Sequence, residues 1–338
     1  MTKGVCLDAA QLARVCALAL VITLVTPAIA TTADLSGALS DVSSSDCSAS
    51  ARDRKDPKPS SRAPLENWLY VARRYGEPDL YVFGAYHTGK GQPIELPQSV
   101  VKAIHNSHAV FTEGLTTQVP EPTQRKESGN ENVSERLLSD LSDWTEIRSQ
   151  LVASLELPDR VLDSRQFLAD PMMAGVLVSQ LASLKRGFNF AFGIDVQVFA
   201  EARRAGTPVY RLDELAPQTA LSFDERLAFF RRALSSALGS AKDDARRASE
   251  TDYERYLSGD TVYFTCRTKQ MNSAAESAKA VTHLGDSRTT AFWNRVSAQR
   301  QRFPSAVIFV APGVMHLYGD QGLLQILRNN GFSVVPTQ

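Results

Sequence analysis

The stretch YVFGAYHTG, at residues 81–89, consists of a short apolar run, a glycine and then a histidine, His87, three residues after that glycine. The stretch FVAPGVMHLYG, at residues 309–319, repeats this order and places His316 three residues after Gly313. The chain has five histidines, and two of them therefore share one local pattern. Because a β-rich run bounded by glycine predicts a strand, we expect each G-x-x-H segment to follow the end of a strand.

Strand-like and helix-like runs alternate outward from these two segments. Further β-rich runs occur at residues 109–111, 208–210, 306–310 and 332–335, and apolar residues have helical spacing at 96–106, 196–204, 224–238 and 322–328. Residues 135–186 have a mostly helical pattern. Alternating strands and helices are typical of an α/β fold. We therefore predict a mixed sheet with helical crossovers and a helical insertion.

Four of the predicted strands are followed by a polar side chain with useful chemistry. These side chains are His87, Glu113, Glu214 and His316. In open α/β sheets, ligands bind outside the carboxyl ends of the strands. If the four strands are neighbours, the four side chains converge at one edge of the sheet, and the sequence then predicts a single site there.

The residue types at this predicted site suit a divalent metal ion. Neutral imidazole and carboxylate are good ligands for Zn²⁺, Mn²⁺ and Co²⁺, and a bound ion can lower the pKa of its water to about 7. Glu113 fits either as a third ligand or as the general base for that water. Gly84 and Gly313 lack a Cβ atom, so the chain can turn sharply there. The alternative for each histidine taken singly is a hydrogen-bonded loop or core residue.

Three other polar residues have structural interpretations that compete with a functional one. His105 and His108 lie outside the repeated pattern, and we expect them to be exposed or to cap a helix. Asp195 precedes a predicted helix, where it can cap the N-terminus or orient a ligand histidine. We favour capping.

The first 30 residues have the features of a signal peptide. Lys3 and Arg14 supply positive charge, residues 15–30 are nearly all apolar, and the run ends in Ala-Ile-Ala. This pattern predicts cleavage near Ala30 and a secreted or periplasmic protein with no stable membrane span after cleavage. The alternative is an uncleaved anchor. Residues 31–62 are polar and predict a disordered leader, which leaves 63–338 as the folded domain.

The balance of charged residues argues against nucleic acid as a partner. Lys plus Arg and Asp plus Glu each number 37, and such a balanced chain has no strong field to attract nucleic acid. The sequence leaves the oligomeric state open. Cys47 and Cys266 remain after cleavage at Ala30. Pairing between them is possible in an oxidising compartment, and the sequence leaves that open too.

The spaced motifs resemble those of the TraB/GumN/PrgY family, to which the Tiki-type metalloproteases are related. YVFGAYHTG, a Leu-Pro helix start and AVFTEG resemble the beginning of that family. The stretches FGIDVQVFAEARRAGTPVYRLDE and VIFVAPGVMHLYGDQGLLQILRNNGFSV resemble its middle and its end. The resemblance covers most of residues 65–335, with the motifs in the family's order.

The resemblance implies a fold like that of the erythromycin-esterase and ChaN-like group, and a divalent-metal hydrolase, most plausibly a metallopeptidase. Its expected substrate is therefore a peptide or a small molecule. Five residues match the family's motifs: His87, His316, Glu113, Glu214 and Arg288. The first three would bind Mn²⁺, Co²⁺ or Zn²⁺, while Glu214 and Arg288 would orient the ligands or stabilise an oxyanion. The family usually has asparagine where this chain has Thr289. The alternative function is a non-catalytic protein that sequesters a peptide, a haem-like ligand or a metal in the same pocket.

Overall fold

The computed structural model describes residues 47, 63–114, 133–157, 159–162, 170–212, 222–239, 242–278 and 282–337, and a six-stranded sheet lies at its centre. The sheet strands are β1 (Leu69–Arg73), β2 (Leu80–Phe83), β4 (Ala109–Thr112), β6 (Val209–Arg211), β7 (Ile308–Ala311) and β8 (Ser333–Pro336). Strands β3 (Gly89–Lys90) and β5 (Phe188–Asn189) form a separate two-stranded ribbon.

The sheet is mixed, with the strand order β6-β4-β7-β2-β1-β8. Strands β6, β4, β7 and β2 run parallel to one another, whereas β1 is antiparallel to both β2 and β8. The predicted α/β fold with a mixed sheet is therefore confirmed. The four parallel strands all end at one edge, which is the edge that the sequence predicted for the site.

The helices connect the strands and cover both faces of the sheet. They are α1 (Gln98–His105), α2 (Val133–Asp140), α3 (Trp144–Leu155), α4 (Asp159–Leu162), α5 (Pro171–Lys185), α6 (Ile194–Arg204), α7 (Phe223–Leu238), α8 (Lys242–Leu257), α9 (Thr261–Ala278), α10 (Thr282–Arg302) and α11 (Leu323–Asn329). Short 3-10 helices occur at Pro64–Trp68, Phe190–Phe192 and Val314–His316. Within the described residues, no helix is both long and apolar enough to cross a membrane.

Two apolar clusters explain why the central strands are buried on both faces. One face packs Val110 and Phe309 against α1, α6, α8 and α9, and the other packs Phe111 and Val310 against α10 and α11. All four residues of β4 and of β7 are buried, as expected for parallel strands covered by helices. Rigid central strands of this kind hold the residues that follow them in fixed positions.

A third apolar cluster lies apart from the sheet and belongs to the helical insertion. Helices α2 to α5 and α7 contribute its buried residues. Helix α5 packs closely on α7 because Gly175 has no side chain, and a Cβ atom there would lie 2.7 Å from Cδ1 of Phe229. The predicted helical insertion is thus present as a separate packing unit.

A disulfide joins Cys47 to Cys266 of α9 across 219 positions of the sequence. Cys47 is 1% exposed and packs in the same cluster as Trp68 and Tyr256. The structure does not describe the predicted signal peptide (residues 1–30), and of the predicted leader (residues 31–62) it describes Cys47 alone. The sequence left open whether Cys47 and Cys266 pair, and in the structure they do.

We expect Cys266→Ser to lower the free energy of unfolding by about 2–5 kcal/mol, because the disulfide restricts a long loop of the unfolded chain. Denaturant unfolding of the oxidised protein measures this loss. Cys47→Ser and the double variant should match it, since each removes the same bond. An unfolding midpoint equal to that of the wild type in all three variants would contradict the prediction.

Candidate metal centre

The two G-x-x-H segments run side by side just past the ends of β2 and β7. Ala85 and Gly313 form an isolated parallel bridge, in which the N–H of Ala85 donates to the carbonyl of Pro312 at 2.8 Å and that of Val314 donates to the carbonyl of Ala85 at 2.7 Å. These bonds extend the pairing of β2 and β7 beyond the regular strands. His87 and His316 therefore leave the same edge of the sheet from adjacent chains.

Glu113 lies between the two histidines. It follows β4, the other neighbour of β7, and it is 2% exposed. Its Oε2 atom lies 3.7 Å from Nε2 of His87, and its Oε1 atom lies 3.8 Å from Nε2 of His316. Both distances exceed the range of a direct hydrogen bond. One imidazole thus faces each oxygen of a single buried carboxylate.

The far side of His87 contacts Asp195. Nδ1 of His87 lies 3.3 Å from Oδ1 of Asp195, and helix α6 begins after Gly193 without a side-chain cap. The interpretation of Asp195 as the helix cap is therefore wrong. An ionised carboxylate only accepts hydrogen bonds, so for a neutral His87 this contact favours the tautomer with the proton on Nδ1 and the lone pair on Nε2. That lone pair faces Glu113.

The far side of His316 contacts Thr289 of α10, a residue that the sequence did not single out for a role. The Oγ1 atom of Thr289 lies 2.8 Å from Nδ1 of His316, and the ring of Phe292 packs edge-on to the imidazole at 5.0 Å between ring centroids. Thr289 is buried. Each imidazole therefore has a partner at Nδ1 and turns Nε2 towards the shared carboxylate.

Two donors hold Glu113 in place. The Gly313 N–H donates to Oε1 at 2.5 Å, and Arg288 of α10 donates to Oε2 at 3.0 Å. Burial by itself raises the pKa of Glu113. Electrostatic interactions with His316, His87 and Arg288, together with the hydrogen bond from the Gly313 N–H, lower it by more, so that the pKa is about 2. Burial also lowers the pKa of His316 to about 4. At neutral pH the site thus has a carboxylate and a neutral His316, which is the state that metal ligands require.

The protonation of His316 makes the stability of the metal-free protein depend on pH. Its pKa is about 4 in the folded protein against an ordinary value of 6.5. Between these values the unfolded chain binds a proton that the folded chain does not, so we expect stability to fall as the pH is lowered from 6.5 towards 4, by up to about 3 kcal/mol. Urea midpoints from pH 4 to 7 measure this. His316→Gln should flatten the profile, and an equally steep profile in the variant would contradict the assignment.

The donors suit a divalent cation in their chemistry. Two imidazole Nε2 atoms face one carboxylate without a hydrogen bond between them, and a Cβ atom added to Gly313 would lie 2.7 Å from Nε2 of His87 and 3.3 Å from Oε1 of Glu113. In the described part of the chain, no group of three or more His, Cys, Asp or Glu side chains lies close enough together to hold a metal ion. Ligands that share one ion lie roughly 3–3.5 Å apart, so the donors would close by a few tenths of an ångström.

The other residues considered from the sequence have different positions. Glu214 lies outside the described residues. His105 is away from the centre, with Nε2 at 2.7 Å from Oε1 of Glu201. His108 accepts a hydrogen bond from the Val307 N–H at 3.1 Å. The structure thus brings together four of the five predicted site residues, namely His87, Glu113, Arg288 and His316.

For the metal ion that we propose below at this centre, we expect Thr289→Val to weaken binding by about 10–100-fold, as the loss of a group that orients a ligand histidine typically does. Valine keeps the shape but cannot bond to Nδ1 of His316. Competition against a chelating indicator measures the affinity. Thr265→Val is the matched control, because the hydroxyl of Thr265 bonds within α9 to the carbonyl of Thr261. Equal affinities in both variants would contradict an orienting role for Thr289.

Comparison with known proteins identifies one family. The model of the TraB/PrgY/gumN family matches residues 68–336, a span that contains every strand of the central sheet and all the residues of the centre described above. No curated protein and no solved structure matches the chain.

Proposed function

Since this chain belongs to the TraB/PrgY/gumN family, we propose that it is an exported hydrolase that depends on a divalent metal ion, most plausibly a metallopeptidase. The proposed ligands are His87, His316 and Glu113, and the proposed ion is Mn²⁺, Co²⁺ or Zn²⁺. We further propose that the α/β domain is related to the erythromycin-esterase and ChaN-like group.

One observation carries this proposal: two imidazole Nε2 atoms face opposite oxygens of one buried carboxylate at 3.7 and 3.8 Å. Imidazole nitrogen and carboxylate oxygen are the donor types that bind a divalent cation of this kind. Partners at both Nδ1 atoms, Asp195 and Thr289, keep the rings in this orientation. Metal-binding histidines commonly have such partners.

When bound, the ion would supply a water with a pKa near 7 and would polarise a substrate carbonyl. The chain's own residues would do the remaining work. Glu113 would act as a ligand, because its two oxygens face the two imidazoles and the Gly313 N–H fixes one of them. Arg288 lies 3.0 Å from the other oxygen, where its charge would also favour a developing oxyanion.

Export is supported by two features. The sequence predicts a signal peptide at residues 1–30, and the disulfide between Cys47 and Cys266 is of a kind that persists in oxidising compartments. We therefore propose that the mature protein acts in the periplasm or outside the cell. Its proposed substrates are peptides or small molecules.

A second candidate function is a binding protein without turnover. One observation favours it: Arg288 already compensates the charge of Glu113 at 3.0 Å, so the pocket holds its carboxylate without an added cation. Such a protein would sequester a peptide, a haem-like ligand or a metal. It would keep its ligand but cleave nothing at saturating Mn²⁺ or Co²⁺.

Elemental analysis of four proteins tests the metal site. After dialysis against Mn²⁺, Co²⁺ or Zn²⁺, the wild type should retain about one ion per chain, and His87→Ala and His316→Ala should lose it. His105→Ala is the control, because that histidine pairs with Glu201 away from the centre. A peptide-library screen with and without the retained ion then tests hydrolysis. Equal metal content in all four proteins would refute the metal site.

A further inference from the structure

Arg288 and a metal ion would compete for the same carboxylate oxygen. Arg288 donates to Oε2 of Glu113 at 3.0 Å, and Nε2 of His87 faces that same oxygen at 3.7 Å. The carboxylate is almost fully buried, whereas the side chain of Arg288 is 16% exposed. A cation held by the imidazoles and Glu113 would therefore share the carboxylate with a positive charge that the protein itself supplies.

A metal ion bound beside Arg288 would be destabilised by electrostatic repulsion. Like charges a few ångströms apart in a partly buried site repel strongly, because the effective dielectric constant is well below that of water. Without the ion, however, the same arginine is needed, since a buried carboxylate that lacks a partner is strongly destabilising. The guanidinium thus stabilises the metal-free protein and disfavours the loaded one.

We infer that Arg288 is an internal counter-cation, which replaces the metal ion at Glu113 when the site is empty and lowers the affinity of the site for that ion. The inference rests on the proposed function, because it assumes that His87, His316 and Glu113 bind the ion. It makes Arg288 a positioning residue that sets how readily the site loads and releases its ion.

Loss of a residue that merely supports the site would weaken metal binding. Loss of an internal counter-cation should instead strengthen it. Arg288→Gln removes the charge, so we expect it to bind Mn²⁺ at least ~10-fold more tightly than the wild type does. Arg288→Lys keeps the charge and should stay within about threefold of the wild type. Competition against a chelating indicator gives both affinities.

Arg300→Gln is the matched control. Arg300 lies on the same helix, α10, and also pairs with a carboxylate, with Nη2 at 2.9 Å from Oε2 of Glu77. Its replacement removes one positive charge and one ion pair outside the centre. We expect this variant to bind Mn²⁺ with the affinity of the wild type.

Thermal unfolding supplies a second measurement, which needs only that the metal-free variant folds at low temperature. Arg288→Gln should have a lower Tm than the wild type without Mn²⁺, and its Tm should reach or exceed that of the wild type at saturating Mn²⁺. A merely structural role for Arg288 would leave the variant less stable at every Mn²⁺ concentration.

The outcomes separate this inference from the function on which it rests. Weaker or equal Mn²⁺ binding by Arg288→Gln, or a Tm that stays below that of the wild type at saturation, would overturn the inference and leave the metal site intact. Absence of Mn²⁺, Co²⁺ and Zn²⁺ binding by the wild type and by Arg288→Gln would overturn both.

Discussion

Glu113→Gln should weaken metal binding by at least about 100-fold, because the loss of a ligand costs more than the 10–100-fold loss typical of the groups that orient ligands. The amide has no negative charge, and in either orientation its NH₂ group would face a donor, Arg288 or the Gly313 N–H. Hydrolysis of a peptide found in the library screen should fall by roughly 10²–10⁴-fold even at saturating metal. Isothermal titration measures the affinity, and initial rates measure kcat/KM.

Glu201→Gln is the control for this variant. Glu201 is also a buried glutamate that pairs with one histidine, His105, and one arginine, Arg204, but it lies on α6 away from the centre. Its replacement should leave metal affinity and rate unchanged. Folding of Glu113→Gln is checked by circular dichroism. If the folded variant binds metal as the wild type does but loses only its rate, Glu113 is the general base instead of a ligand. Unchanged binding and rate together would refute both roles.

Gly313→Ala should remove metal binding through a single added methyl group. Gly313 has φ −54° and ψ 140°, a conformation that alanine adopts without strain. The new Cβ atom would lie 2.7 Å from Nε2 of His87, so the imidazole must turn away from the centre. We expect at least a ~100-fold loss of affinity, since a displaced ligand costs more than a displaced supporting group.

Gly91→Ala separates this effect from a general loss of stability. Gly91 has a positive φ of 79° and open space around its Cβ position, so alanine there costs about 1–2 kcal/mol in backbone strain without touching the centre. We expect this variant to be less stable but to bind metal normally. A folded Gly313→Ala protein with the affinity of the wild type would contradict the account.

Residues that follow strands could be predicted from the sequence because their placement depends on local pattern and sheet geometry. The apolar runs before His87 and His316 indicate strands, and parallel strands end at a shared edge. That reasoning predicted Glu113 at the same edge, and the structure agrees because β4 pairs with β7. It required no knowledge of side-chain packing.

Contacts that depend on tertiary packing were not predicted correctly. Asp195 was assigned to the helix cap, although it lies in the first turn of α6 and bonds to His87, 108 positions away. Thr289 lies inside α10, where a threonine gives no local signal, and its contact with His316 arises from the packing of that helix at the end of β7. The burial of Cys47 within a polar stretch depends in the same way on a distant partner, Cys266.

One strand of the central sheet was also missed. Strand β1 forms a hairpin with β2 and pairs with β8 on its other side. The run LYVAR before the turn at Gly76, whose φ is 77°, is a signal that could have identified it. This antiparallel strand is what makes the sheet mixed, and it lies away from the centre.

Anomalous diffraction from crystals grown with Mn²⁺ or Zn²⁺ tests the central claim most directly. The account predicts one strong peak, within roughly 2.0–2.3 Å of Nε2 of His87, Nε2 of His316 and a carboxylate oxygen of Glu113. A map without a peak between these atoms, or with its peak at the His105–Glu201 pair instead, would contradict it.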